Sequence, residues 1–247
     1  MPRLVTTYST LDWSADGALV SKTRLPASDA RRRFRNELRI NRLLNAHRPP
    51  VPTSPLVAWD VHRRQLTFAA VPGQPLGAKY PLRLAPSDVD AMIGIALRLR
   101  AYSPQRRWLR RFNSQGRLRL ARRAGWLTDA QTGQLVALAD RVHTRLRFAH
   151  GDLTARNVLG CRDGLTLIDW EWAGLYPDGY ELAFLWFSLV DVEDGRARVE
   201  EHLDADEGAF LLSALLIQLW HLQWYVPSDY RDRHLSTRDD LISRLCR

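Results

Sequence analysis

The stretch His150-Gly151-Asp152-Leu153-Thr154-Ala155-Arg156-Asn157-Val158-Leu159, with Leu167-Ile168-Asp169-Trp170-Glu171 after it, decides how the rest of the chain is read. Two carboxylates and one carboxamide sit within eighteen residues of it: Asp152, Asn157 five residues on, and Asp169 twelve further. Apolar Val158-Leu159, a turn at Arg162-Asp163-Gly164 and apolar Leu165 to Ile168 form a hairpin signal, so the return strand brings Asp169 back beside Asn157. Side-chain oxygens of Asn and Asp are ligands that Mg²⁺ favours, and the ion shares its shell with substrate phosphates and water. Asp152 precedes the hairpin and stays free to accept a proton from an attacking hydroxyl. The pattern is that of a phosphotransfer site.

The spacing H-G-D-x-x-x-x-N followed by I-D-W resembles the aminoglycoside phosphotransferase and choline kinase family, relatives of protein kinases that phosphorylate small molecules. Protein kinases carry H-R-D with the same gap to Asn and follow their metal-binding Asp with Phe-Gly. Gly151 and Trp170 stand there in this chain, which points to the small-molecule branch. The run at 174–183 also resembles that family, with Glu181 where Asp is usual. The resemblance implies an α+β, two-lobe protein-kinase-like fold. Residues 1–72 would form a small N-terminal lobe with an antiparallel sheet and one helix, and residues 73–247 a larger, mainly helical C-terminal lobe. It also implies Asp152 as the catalytic residue, Asn157 and Asp169 as Mg²⁺ ligands, and ATP or GTP as phosphoryl donor.

Toward the N-terminus, residues 4–13 read as one extended segment, Ala15-Asp16-Gly17 as a turn, and Ala18 to Arg24 as the returning strand. Lys22 lies on that strand. Only Lys22 and Lys79 are lysine, and the other 34 of the 36 basic side chains are arginine, so each lysine is a candidate for a role that needs a compact ammonium. In the family, the lysine of this strand holds the nucleotide phosphates and pairs with a glutamate on the next helix. A helix following Ser28 or Asp29, with Phe34, Leu38, Asn41, Leu43 and Leu44 on one face, carries Glu37 as that partner. The other reading of Glu37 is a surface pair with Arg33 at i−4.

A glycine-rich phosphate loop should precede this strand, yet the first glycine is Gly17. Thr6, Thr7, Ser9 and Thr10 would supply only an abbreviated version. Either the nucleotide roof is open or the true start codon lies upstream. Beyond the helix-breaking Pro49-Pro50-Val51-Pro52, strands are expected at 55–59 and 65–71. Val71-Pro72-Gly73-Gln74-Pro75-Leu76 resembles the family's hinge, where backbone groups of Ala69, Ala70 and Val71 would meet the base.

In the C-terminal half, helices are expected at 88–100 after Ser87, from Thr128 with Gln131 completing a capping box, at 208–225 as a buried element, and finally after Ser236 or Thr237. The Arg-rich stretch 106–123 reads as the solvated face of an amphipathic segment, and His150 as a structural ring bonded to backbone. The aromatics after Asp169 are mostly core, with some left to line an acceptor pocket. Glu171, Asp178, Asp191, Glu193, Asp194, Asp204, Asp206 and Glu207 give this half a negative component that suits a cationic acceptor.

The formal charge of +9 raises the question of nucleic acid, but the arginine bias weakens that argument and nucleic acid is not expected as a partner. The apolar runs at 182–190 and 209–217 are far shorter than the roughly twenty residues that span a bilayer. No signal-peptide pattern opens the chain. Cys161 and Cys246 lack metal-ligand spacing, which fits a reduced, cytoplasmic setting without a membrane. The expected activity is therefore transfer of phosphate from ATP or GTP to a hydroxyl of a small, cationic molecule, with antibiotic modification the first candidate. The alternative is a catalytically weak kinase-like protein that contacts a partner or nucleic acid. A protein kinase would need an activation segment, and only seven residues separate Asp169 from Pro177.

Overall fold

The computed structural model describes residues 3–47, 49–78, 82–142, 145–162, 164–203, 207–224 and 226–246. Lys79, Asp163, Asp204, Asp206 and Tyr225 thus lie outside the described residues. The first part is an antiparallel sheet of β1 (Arg3–Val5), β2 (Ser9–Trp13), β3 (Leu19–Arg24), β4 (Leu56–Asp60) and β5 (Gln65–Ala69), ordered β1-β2-β3-β5-β4. The extended segment expected over 4–13 is two strands instead. No glycine makes the turn between them. The Thr6 hydroxyl donates to Ser9 O and accepts the Ser9 N–H, both at 3.0 Å, and so replaces the left-handed residue that a tighter turn would need.

Helix α1 (Ala30–Ala46) crosses this sheet and serves two cores. Its Phe34 packs with Leu56 and Leu66, while Ile40, Leu43 and Leu44 join the large core of the remaining chain. Asp29 sits at the cap position without capping, because its carboxylate is drawn 2.6 Å from Arg33 Nε. Glu37 faces inward and is 1% exposed, which excludes a surface pair with Arg33.

After β5 the chain leaves the sheet, and β6 (Gln74–Pro75) pairs with β8 (Val158–Cys161), which forms a hairpin with β9 (Gly164–Leu167). β7 (Leu146–Ala149) pairs with β10 (Gly174–Pro177). The rest is mainly helical: α2 (Pro86–Ala101), α3 (Ser114–Arg123), α4 (Asp129–Val142), α5 (Tyr180–Ser188), α6 (Gly195–Glu200), α7 (Glu207–Trp224) and α8 (Arg231–Leu245). A small antiparallel sheet with one helix, followed by a mainly helical remainder, is the fold class expected from the sequence.

The capping box forms, with Thr128 N–H donating to Gln131 Oε1 at 2.9 Å and Gln131 N–H to Thr128 Oγ1 at 3.2 Å. α2 starts at Pro86, not after Ser87, because proline suits the first helical position, where its missing N–H costs nothing. α8 starts at Arg231, so Ser236 and Thr237 lie inside it, where Thr237 Oγ1 donates back to Arg233 O at 3.0 Å. α7 is buried along nearly its whole length, as its all-round apolar sequence requires. Among the described residues, no helix is long and apolar enough to cross a membrane.

Candidate active site

The loop between β7 and β8 carries His150, Asp152 and Asn157. Gly151 has φ +80°, and a Cβ there would lie 2.5 Å from Tyr176 Oη and 2.8 Å from Trp172 O. That turn needs glycine both for its left-handed backbone and for lack of space. Its N–H donates to Glu181 Oε1 at 2.7 Å. Glu181 is buried on the first turn of α5, and burial pushes its carboxyl up to about 8. The His150 ring is fully enclosed, with Nε2 3.0 Å from Ile168 O, while Nδ1 accepts the Asp152 N–H at 3.3 Å. Burial lowers its pKa, against the pull of Asp152 and Asp169. The ring is therefore neutral, with its proton on Nε2.

Asp152 is the half-open member of the loop. Its Oδ2 accepts from Asn157 Nδ2 at 2.9 Å and from Arg156 Nη2 at 3.2 Å. Asn157 Nδ2 also donates to Asp152 O at 2.9 Å, so the amide nitrogen locks the loop. The β8–β9 ladder then ends with Ile168 N–H donating to Asn157 O at 2.9 Å, which sets Asp169 one residue past the pair. Asp169 takes φ 66°, ψ 62°, a left-handed conformation unusual for a side-chain-bearing residue and common at functional sites.

Lys22 reaches this point from β3. Its Nζ lies 2.7 Å from Asp169 Oδ1 and 2.9 Å from Glu37 Oε1. Burial works to raise the Asp169 carboxyl, but Lys22 and Arg24 outweigh it and hold the group down at about 2. The expected lysine, glutamate and aspartate are thus in mutual contact. Asn157 spends its nitrogen on Asp152, which leaves its oxygen as a donor atom, and Asp169 spends one oxygen on Lys22 and keeps the other. One carboxylate and one carboxamide oxygen are a donor set that fits Mg²⁺.

Four members of the network, Arg24, Arg33, Asn36 and Glu171, were not expected. Arg24 Nη2 lies 2.5 Å from Glu37 Oε2 and also contacts Glu171 Oε2, whose other oxygen accepts from Arg33 Nη1 at 3.1 Å. Asn36 Nδ2 donates to Glu171 O and Ala173 O at 2.9 and 3.0 Å, tying α1 to the chain after Asp169. The carboxylates of Glu37, Asp169 and Glu171 converge to within 4.8 Å and are met by Lys22, Arg24 and Arg33. A local signal existed for two of them. Arg24 is two residues past Lys22 and shares its side of the strand, and Arg33 is one helical turn before Glu37. At the segment 69–71, the Ala69 N–H already donates to Pro55 O at 2.9 Å and its carbonyl accepts from Ser54 Oγ at 2.5 Å. The Ala70 N–H donates to Ala18 O at 2.8 Å. Ala69 therefore has no free backbone N–H for a ligand, whereas Val71 has no such bond among the described residues.

A family model described as phosphotransferase enzyme family matches residues 6–216. No curated protein matches the sequence. Among solved structures, a choline kinase, LicA, from Streptococcus pneumoniae is similar at 14% identity and TM-score 0.67, covering 98% of this chain and 91% of that one. A choline/ethanolamine kinase family protein from Mesorhizobium loti is similar at 14% identity and TM-score 0.65, with coverage of 99% and 86%. APH(2")-IIia, in a complex with GDP and kanamycin, is similar at 18% identity and TM-score 0.62, with coverage of 99% and 91%. At these identities the likeness is one of fold.

Proposed function

The chain belongs to the phosphotransferase enzyme family, and from that premise we propose that it moves the γ-phosphate of ATP or GTP to a hydroxyl of a small molecule. Membership makes it an enzyme, a small-molecule phosphotransferase. The observation that carries the finer reading is the meeting of Lys22, Glu37 and Asp169 at 2.7 and 2.9 Å, beside a loop that presents Asp152.

In this reading Lys22, steadied by Glu37, holds the α- and β-phosphates. Asn157 and Asp169 would hold Mg²⁺, which when bound supplies positive charge against the phosphate oxygens. Asp152 orients the acceptor hydroxyl and takes its proton late, since phosphoryl transfer depends mostly on positioning and charge stabilisation. The Val71 N–H, rather than that of Ala69, is the hinge donor available to the base. The lobe boundary falls near residue 72, between β5 and β6. A cytoplasmic setting suits a nucleotide-consuming enzyme.

Kanamycin accompanies GDP in one similar structure, and choline kinases are among the others. Aminoglycosides and amino alcohols are therefore acceptors to assay, with antibiotic modification as one outcome. The test is incubation of purified protein with labelled ATP or GTP and Mg²⁺ against a panel of hydroxylated acceptors. Transfer that disappears in Asp152→Ala supports the reading. If no acceptor is labelled and the nucleotide gives no Mg²⁺-dependent thermal shift, the protein is a kinase-like binder instead, a reading that the glycine-free Thr6 turn favours.

A further inference from the structure

Of the six described acids that suggested a cationic acceptor, Glu193 and Asp194 have no arginine against them among the described residues, while the others do. Four of the acids that suggested one are already matched. Glu171 is held by Arg24 and Arg33, Asp178 by Arg100 at 2.5 Å and Arg147 at 3.4 Å, Asp191 by Arg233, and Glu207 by Arg244 at 2.7 Å. Glu181 is buried against the Gly151 N–H. Asp152 itself carries Arg156 at 3.2 Å.

Arginines without such partners stand on the other side. Tyr176, whose hydroxyl fills the space beside Gly151, stacks on Phe112 at 4.8 Å. The Arg117 guanidinium lies 5.0 Å over Phe112 and 4.2 Å over Trp220. Arg110 is tied to the same strand through its backbone, since its carbonyl accepts the N–H of Leu175, the residue before Tyr176, at 2.7 Å, and its charge couples with Tyr176 and Arg117. Burial lowers the Arg110 pKa, and the positive charges of Arg32 and Arg117 lower it further. Among the described residues, neither Arg110 nor Arg117 has a carboxylate within 4.0 Å. Asp29, the acid nearest in its effect on Arg110, is spent on Arg33 and Arg32. A guanidinium stacked on rings keeps its donor edge free and already oriented, which suits two-point binding of a carboxylate or phosphate.

Resting on the phosphotransfer reading above, we infer that the acceptor is anionic: a small hydroxylated molecule whose carboxylate or phosphate sits on Arg117 and Arg110 while its hydroxyl meets Asp152. This reverses the cationic acceptor expected from the sequence. In the transfer, the bond from acceptor oxygen to γ-phosphorus forms as the bond from that phosphorus to the bridging oxygen breaks. The bridging pair stays on the nucleoside diphosphate, the hydroxyl proton goes to Asp152, and the anionic group is unchanged.

The test pairs binding with turnover. Glycerate and glucose 6-phosphate are titrated against tryptophan fluorescence, with glycerol, glucose, choline and kanamycin as neutral and cationic counterparts, and the same compounds are assayed as acceptors. The anions should bind saturably and be labelled in preference to their neutral counterparts. Arg117→Gln should raise the acceptor KM on the order of tenfold or more, with part of that recovered in Arg117→Lys. Arg119→Gln, on the exposed side of α3, is the control. Preference for choline or kanamycin, or equal anion binding in Arg117→Gln, overturns the proposal. Anion binding that depends on Arg117, without transfer from either nucleotide to any compound, overturns the phosphotransfer reading and the acceptor role with it.

Discussion

Lys22 Nζ lies between two carboxylates, 2.7 Å from Asp169 Oδ1 and 2.9 Å from Glu37 Oε1. The ammonium thereby joins β3, α1 and the end of the β8–β9 hairpin at one point, with 11% of its surface open. Neither carboxylate is left with a bare charge, so the cation proposed to hold the phosphates and the anion proposed to hold a metal are already in contact.

Lys22→Met should lower kcat/KM by roughly a hundredfold or more, since the charge proposed to hold the α- and β-phosphates is lost. It should also show in acid unfolding. The Asp169 carboxyl is depressed from 3.8 to about 2, so its stabilising contribution is present above 3.8 and is lost as pH falls through about 2. Without Lys22 that contribution shrinks, and the acid transition moves to higher pH. Denaturant titrations between pH 2 and pH 5 check it; coincident acid limbs for the two proteins would remove Lys22 as the cause.

Gly151→Ala adds a methyl 2.5 Å from Tyr176 Oη, at a φ of +80° that alanine resists. A cost of about 1–3 kcal/mol is expected, or a Tm drop of several degrees for a chain of this size. Tyr176→Phe in the same chain removes the hydroxyl contact but leaves Trp172 O at 2.8 Å and the backbone conformation, so rescue should be partial. Full rescue would show that space alone, not backbone, decides the site.

These contacts divide into those the sequence reveals and those it hides. Asn157 and Asp169 were readable as neighbours because a hairpin is a local object, and Ile168 N–H to Asn157 O is its next rung. Lys22 and Glu37 were readable because the family resemblance pairs a lysine on this strand with a glutamate on the next helix, and Glu37 is the acidic residue of that helix past Asp29. The Arg24–Glu171 contact was not, because it joins residues far apart in the chain and only tertiary packing brings them together. The start of α8 was hidden for a different reason. Ser236 and Thr237 look like caps, but Thr237 can satisfy its hydroxyl on the preceding helical turn, so the cap residue does not end the helix. Thr6 made the opposite substitution, a hydroxyl doing the work expected of glycine.

Arg24→Met should destabilise the protein by about 3 kcal/mol, because removing one partner of a buried ion pair strands the others. The Arg24 side chain is buried and is shared by the buried side chains of Glu37 and Glu171. Adding Glu171→Gln removes one of the stranded charges, so the double variant should be more stable than Arg24→Met alone. Denaturant midpoints of the three proteins decide it. If the double variant is the sum of two independent losses, the residues are not coupled.

Glu181 gives the clearest dependence on pH. Burial raises its carboxyl from 4.5 to about 8, with Asp152 pushing the same way and the Gly151 N–H pulling against both. Its Oε1 accepts that N–H, while Oε2 is buried without a hydrogen-bond partner among the described residues, so a proton there spares the interior a bare charge. The unfolded chain gives up this proton near 4.5 and the folded chain holds it until about 8. Stability from this group is therefore fully present below 4.5, falls as pH rises, and is gone above about 8. Glu181→Gln cannot titrate, and its amide oxygen can still accept the Gly151 N–H. The variant should have a flatter stability curve across that window and gain on the parent as pH rises toward 8. Glu181→Ala instead leaves the Gly151 N–H unpaired and should lose roughly 1–3 kcal/mol at low pH. Denaturant unfolding at half-unit steps separates these outcomes. Parallel curves for the parent and Glu181→Gln would mean that the carboxyl does not change its protonation on folding.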